Sequence, residues 1–327
     1  MRRFVALLFA STLVVSCSSA DDAAAPATSP ITVSSTEGST TTVSITTVAP
    51  ATASTTPGAD PTLERPFDVF TPSSYRPDTA MPLVVLLHGF GASGAIQEAY
   101  FQLQPLAESR GFLYVHPDGT PHPAGDRFWD ATDACCGLGS TADDVTYLTS
   151  IIDQVSAARN VDASRVYVMG HSNGGFMSYR MACDAAERIA AIASVAGATW
   201  ADTSKCNPSE PVSVLHVHGT ADVAVEYDGG TPPDTGAYPG AATSVATWAG
   251  YDGCRARSLE TAGTLDLDSA LPGEETVVAR VDGCPDGIGL ELWTVQGGSH
   301  NPAIRFADGS QPMSAGIIEW LLEHPKP

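Results

Sequence analysis

Five short runs in this chain are apolar along nearly their whole length: 82–87, 112–116, 165–169, 212–217 and 290–295. Strands with one wet face alternate apolar and polar residues, whereas near-continuous apolar runs belong to strands covered on both faces. Helical patterns lie between them. The clearest covers about 142–158, where Val145, Leu148, Ile151, Ile152 and Val155 make one apolar stripe behind a Thr141-x-x-Asp144 capping box. Asp143 and Asp144 at that helix start read as capping and dipole residues. Strands alternating with helices predict an α/β fold, a mostly parallel central sheet with helices on both faces. Functional residues of such a sheet belong just past the carboxyl ends of its strands.

One strand end stands out by this criterion. Residues 165–169 run straight into Gly170-His171-Ser172-Asn173-Gly174-Gly175, followed by a helical pattern of Phe176, Met177, Tyr179, Arg180 and Met181. This is G-x-S-x-G between a strand and a helix, where the two glycines allow the sharp turn that presents a serine hydroxyl. A serine hydroxyl is a weak nucleophile without a base to take its proton, and with such a turn the acid and the base follow in the order Ser, Asp, His. Downstream lie His216, His218, His300 and His324. His216 and His218 fall within or at the end of a strand, where a packed histidine is the ordinary explanation, and His324 is in the C-terminal tail. His300 follows run 290–295 across Gly297-Gly298-Ser299 and is the candidate base. Asp222, on the turn after run 212–217, is the candidate acid that orients it, with Glu226 and Asp228 as alternatives farther from the strand end. After the earliest run, His88-Gly89-Phe90-Gly91 has the form of an oxyanion loop, which assigns the two required donors to the backbone N–H groups of Phe90 and Asn173. Trp129, Trp200 and Tyr227 fall in loops near the same mouth as candidate cleft residues.

The ends of the chain address where it works. Residues 1–16 run basic, apolar, then small, the pattern of a secretory signal too short to span a bilayer. Val14-Val15-Ser16-Cys17 resembles the lipobox of bacterial lipoproteins, which predicts lipidation at Cys17. Residues 17–60 are dominated by Ser, Thr, Ala, Pro and Asp without apolar periodicity and read as a disordered tether. Residues 61–327, 267 in all, suit one large α/β domain. A secreted or cell-surface location follows, with the membrane met only through the lipid at Cys17.

Charge narrows the partners. Loss of Arg2 and Arg3 with the signal takes the formal net charge from −21 to −23. A surface so acidic repels nucleic acid, so a neutral or weakly anionic substrate is expected. Beyond Cys17 there are six cysteines, an even number that in an exported chain points to disulfides. They lack a C-x-x-C or clustered His/Cys spacing, so neither a metal nor another cofactor is expected. The predicted protein is a monomer.

Taken together, Phe128-Trp129-Asp130, Cys135-Cys136, Asp143-Asp144-Val145, Arg165-Val166-Tyr167, the Gly170–Gly175 turn, His218-Gly219-Thr220-Ala221-Asp222 and Gly297-Gly298-Ser299-His300 form an ordered set of blocks over nearly all of 65–325. The set resembles the poly(3-hydroxybutyrate) depolymerase and feruloyl esterase family, including its mycobacterial lipoprotein members. The resemblance implies the α/β-hydrolase fold and a Ser172–Asp222–His300 triad. It also implies a serine ester hydrolase working through an acyl-enzyme, and pairing of Cys254 with Cys284. It leaves the ester open among polyhydroxyalkanoate, feruloyl, acetyl and smaller acyl esters. Transfer of the acyl group to a sugar hydroxyl and an inactive surface binding module are the competing functions.

Overall fold

The computed structural model describes residues 65–122, 125–136, 140–233 and 235–327. The predicted signal 1–16, Cys17 and the tether 17–60 lie outside those residues. In chain order the main elements are β1 (Val69–Phe70), β2 (Met81–Leu87), α1 (Gly94–Phe101), α2 (Leu103–Arg110), β3 (Leu113–Val115), α3 (Asp144–Ala158), β4 (Val161–His171), α4 (Asn173–Asp184), β5 (Ala191–Val195), β6 (Ser213–Gly219), α5 (Ala241–Tyr251), β7 (Leu259–Leu265), β8 (Thr276–Val281), β9 (Leu290–Val295) and α6 (Pro312–Leu322).

The strands form a nine-stranded sheet in the order β1-β3-β2-β4-β5-β6-β9-β8-β7. The six from β3 to β9 run parallel. β1 is antiparallel at one edge, and β8 and β7 continue from β9 as an antiparallel meander at the other. The mostly parallel sheet expected from the apolar runs is therefore present.

Side-chain alternation divides the core into two layers. Leu83, Val85 and Leu87 of β2 pack on the face carrying α3, α4 and α5, while Val84 and Leu86 pack on the face carrying α1, α2 and α6. The apolar stripe of α3 is buried as its spacing requires, through Leu148, Ile151, Ile152 and Val155. Its start differs from expectation. Asp143, rather than Thr141, is the N-cap, accepting from the Thr146 N–H at 3.0 Å. Asp144 is buried at 1% exposure and pairs with Arg65, Thr120 Oγ1 and the Asp130 N–H, so it is no surface dipole residue. The Arg65 guanidinium stacks over Tyr147 at 3.5 Å.

All six cysteines are in disulfides, Cys135–Cys136, Cys183–Cys206 and Cys254–Cys284. Cys254–Cys284 joins the end of α5 to the turn after β8, and Cys183–Cys206 ties α4 to the loop before β6. No helix among the described residues is long and apolar enough to cross a membrane.

Candidate active site

β4 ends at His171 and α4 begins at Asn173, so Ser172 alone makes the turn between them. Its backbone sits at φ 55°, ψ −121°, a conformation costing on the order of 1–3 kcal/mol that surrounding contacts must impose. Those contacts are visible. The Ser172 N–H donates to the Val195 carbonyl at 2.8 Å, and α4 closes its first turn from the Phe176 N–H to the Ser172 carbonyl at 3.0 Å. A Cβ on Gly170 would collide with the Gly174 carbonyl, and one on Gly174 with the Leu87 carbonyl, so only glycine permits this approach of helix, turn and sheet. The serine side chain makes no capping bond to α4. Its hydroxyl points elsewhere.

It meets His300. Ser172 Oγ lies 2.9 Å from His300 Nε2, and His300 Nδ1 lies 2.7 Å from Asp222 Oδ2. The three residues come from the ends of β4, β6 and β9, with His300 lying 78 positions after Asp222 and 128 after Ser172 in sequence. The Asp222 side chain is wholly buried, while that of His300 is 17% exposed, which puts the imidazole at the boundary between core and solvent. Burial would raise the Asp222 carboxyl. Hydrogen bonds from His218, His300 and the Val225 N–H overcome that and hold it well below the usual carboxylate range. Asp222 Oδ1 accepts from the N–H groups of Ala224 at 2.8 Å and Val225 at 2.9 Å, leaving Oδ2 for the imidazole. Glu226 and Asp228, the alternatives by position, do not take this place.

His300 is held through its loop. His171 Nε2 donates to the His300 carbonyl at 2.8 Å, and burial pushes the His171 imidazole down to about 4 although this bond acts in the opposite direction. Tyr100 Oη donates to the Pro302 carbonyl at 2.6 Å, and Asp268 Oδ1 accepts from the Ala303 N–H at 3.0 Å. The turn before the histidine is pinned to the turn before the aspartate, the Ala221 N–H donating to Gly298 at 2.9 Å and the Gly297 N–H to Thr220 Oγ1 at 2.8 Å.

The loop after β2 lies against Ser172, since a Cβ built on Gly89 would be 3.4 Å from that of the serine. The Gly89 N–H donates to buried Gln97 Oε1 at 3.0 Å, fixing the approach from α1. Phe90, the next residue, is 43% exposed, and Val223, directly after Asp222, is 91% exposed; these large apolar side chains stand in the open beside the constellation.

Trp129, a candidate cleft residue, is instead fully buried. Its backbone N–H and carbonyl bond the Asn173 side chain at 2.7 and 2.9 Å, and its indole N–H donates to the His88 carbonyl at 3.0 Å. It ties the loop after β2 to the start of α4 from behind. Trp200 lies against the Arg180 and Lys205 cations, and Tyr227 bonds Thr294 at 2.8 Å with its ring edge-on to His218. The parts played by the Asn173 side chain, Gln97, His171 and Tyr100 carry no motif; for Asn173, His171 and Tyr100 the partner is 44 to 202 positions away, and Gln97 reaches Gly89 from the next helix. Among the described residues no cluster of three or more His, Cys, Asp or Glu is arranged to hold a metal ion.

The sheet order, the strained turn at Ser172 and the placement of Asp222 and His300 past later strands define the α/β-hydrolase fold. The family model for the α/β-hydrolase fold matches residues 82–217, from β2 through most of β6, which includes Ser172 and stops short of Asp222 and His300. Within that class the chain is similar to esterases. It is 30% identical over 236 residues to feruloyl esterase B of Piromyces equi, covering 70% of this chain and 41% of the relative. It is 33% identical over 163 residues to a bifunctional acetylxylan esterase/xylanase of Neocallimastix patriciarum, covering 50% of this chain and 22% of the relative. The chain thus spans less than half the length of these two relatives. Among solved structures, an acetyl xylan esterase from Aspergillus awamori superposes with a TM-score of 0.55 at 18% identity, over 81% of this chain and 96% of that one, a likeness of fold.

Proposed function

We propose that this chain is an exported serine hydrolase of carboxylic esters. The observation that carries the reading is the continuous hydrogen-bonded path from Ser172 Oγ through His300 to buried Asp222. Ser172 Oγ attacks the ester carbonyl carbon while His300 Nε2 takes its proton, and the imidazolium that forms is stabilised by the Asp222 carboxylate. The carbonyl oxygen becomes an alkoxide. The backbone N–H groups of Phe90 and Asn173 receive it, the second at the positive end of α4. Collapse breaks the ester C–O bond, the leaving alkoxide takes the proton from His300, and an acyl-Ser172 remains. Water activated by the same imidazole then attacks, releasing the acid and restoring the serine.

For the substrate, exposed Phe90 and Val223 offer apolar contact to an acyl or aryl group at the mouth. The similarity to enzymes named feruloyl and acetylxylan esterases supports esters on plant polysaccharide, and the resemblance to polyhydroxybutyrate depolymerases supports short hydroxyalkanoates. An exported enzyme would meet either outside the cell. The three disulfides accord with an oxidising compartment, and Cys17 would supply the lipid that keeps the enzyme at the surface.

The test is a panel of p-nitrophenyl esters, a feruloyl ester, an acetylated xylan and a polyhydroxybutyrate film, run with and without a sugar acceptor. Hydrolysis of at least one ester by the wild-type chain, with at least a roughly thousandfold loss of kcat in folded Ser172→Ala, is expected. Acyl product appearing mainly on the sugar would replace hydrolase with transferase. Absence of turnover on every ester would favour a binding module.

A further inference from the structure

His216 and His218 occupy alternate positions of β6, so both point to the sheet face that carries α4, where β6 otherwise presents Val214. Both are buried, at 0% and 2% exposure. Two imidazoles in a core need partners for four ring nitrogens, and here each has one. Tyr179 Oη of α4 lies 2.8 Å from His216 Nδ1, His216 Nε2 lies 3.0 Å from His218 Nδ1, and His218 Nε2 lies 2.8 Å from the Val225 carbonyl and 3.3 Å from Asp222 Oδ2. The row ends on the carboxylate that orients His300.

The proton positions along this row follow from its far end. A carbonyl and a carboxylate only accept, so His218 Nε2 carries a hydrogen. If His218 is neutral, its Nδ1 has a lone pair, which His216 Nε2–H must fill. His216 Nδ1 is then the acceptor, and the Tyr179 hydroxyl donates to it. Any reversal would place two hydrogens or two lone pairs face to face, unless His218 took a second proton and became a cation.

We propose that Tyr179, His216 and His218 form a one-directional hydrogen-bond row that keeps His218 neutral, so that Asp222 remains the undivided counter-charge of His300. These are positioning residues, and their role rests on the catalytic reading of Ser172, His300 and Asp222. Were His218 cationic, it would compete for Asp222 Oδ2 and repel the imidazolium that forms on His300 during acylation. Burial supports the arrangement from the other end, keeping the Tyr179 phenol protonated and pushing His216 well below its ordinary range, with His218 beside it acting in the same direction. The charged and titratable groups facing the row are Asp222 and Tyr227 from the loops after β6, His300 from the loop after β9 and His171 from β4. Among them Asp222 alone bears a standing negative charge, and it would draw a second proton onto His218 if Tyr179 did not hold the row.

Tyr179→Phe removes one oxygen and keeps the ring. With that donor gone, His216 can move its hydrogen to Nδ1, and His218 can accept a proton at Nδ1 beside Asp222. Long-range proton–nitrogen imidazole spectra of the full chain with labelled histidine read the tautomers directly. In the wild type both residues should stay neutral Nε2–H forms between about pH 5 and 8. In folded Tyr179→Phe, His218 should titrate within that range, kcat should fall about three- to tenfold with KM unchanged, and the acid limb of the kcat profile should spread over two ionisations. A wild-type His218 that titrates in this range, or a Tyr179→Phe variant whose spectra and pH profile superpose on the wild type, would overturn the proposal. The spectra do not depend on turnover. An inactive wild type with the stated tautomers would sink the catalytic reading and the purpose given to the row, whereas a titrating His218 in an active enzyme would sink the row alone.

Discussion

Asp222 is the residue on which the site's geometry bears most heavily. It receives the Ala224 and Val225 N–H groups on one oxygen and His300, with His218 at longer range, on the other. An amide in its place would keep the shape but present an NH2 group to one of these donors, favouring the wrong imidazole tautomer. Asp222→Asn should therefore lower kcat on the order of ten-thousandfold, the scale recorded for the same change in a serine protease. Glu226→Gln and Asp228→Asn should stay within a few-fold of wild type at equal folded fraction, judged by circular dichroism. An active Asp222→Asn beside a crippled Glu226 or Asp228 variant would move the acid. The position of Asp222 is legible from the sequence because a turn leaving a parallel strand has few ways to aim a carboxylate. The partners that hold it are not, because His300 arrives from the loop after β9 and His218 sits behind in β6, and contacts between separate elements leave no local pattern.

At the scale of elements, the turns that depend on local chemistry are readable and the buried pairs are not. The apolar stripe of α3 follows from its spacing, but its first residue does not. Asp143 and Asp144 are chemically alike, and only the tertiary position of Arg65 sends the second inward while the first caps the helix. The strands outside the five apolar runs are hidden for other reasons: β5 is Ala-Ile-Ala-Ser-Val, whose alanines also suit a helix, and β7 is a mostly exposed edge strand rich in Thr and Glu. The Arg65–Asp144 pair leads to a stability prediction. With both side chains buried, Asp144→Asn would leave the Arg65 charge without its counter-ion and should cost about 3–5 kcal/mol. Asp184→Asn, in the partly exposed Arg180 pair, should cost no more than about 1 kcal/mol. Denaturant midpoints at unchanged slope give both values. Equal losses would mean that burial does not set the difference.

For the whole molecule, two buried carboxylates give stability opposite dependences on pH. Asp222, held low by its donors, contributes stability above its unfolded value that is lost as pH falls toward its folded one. Asp252, at the end of α5, is 2% exposed; burial pushes it up to about 7 despite the hydrogen bond from the Val212 N–H at 3.1 Å, and its Oδ2 has no partner. The folded state therefore keeps a proton that the unfolded chain releases above about pH 4, so this residue lowers stability as pH rises from about 4 to 7. Asp252→Asn keeps an acceptor for Val212 and removes the ionisation. It should raise the unfolding free energy by about 1–3 kcal/mol at pH 8 and change it little at pH 4, as melting curves at the two values would show. An equal effect at both would assign the change to packing.

The reading of the molecule as a serine ester hydrolase turns on whether Ser172 is the nucleophile. Its most direct measurement is peptide mapping by mass spectrometry after treating the folded full chain with a fluorophosphonate, which reacts covalently only with an activated serine. A single adduct on the peptide bearing Ser172, formed in step with loss of ester hydrolysis and slowed severely in folded His300→Ala, is the predicted result. An adduct on another serine, or hydrolysis that survives full modification of Ser172, would contradict it.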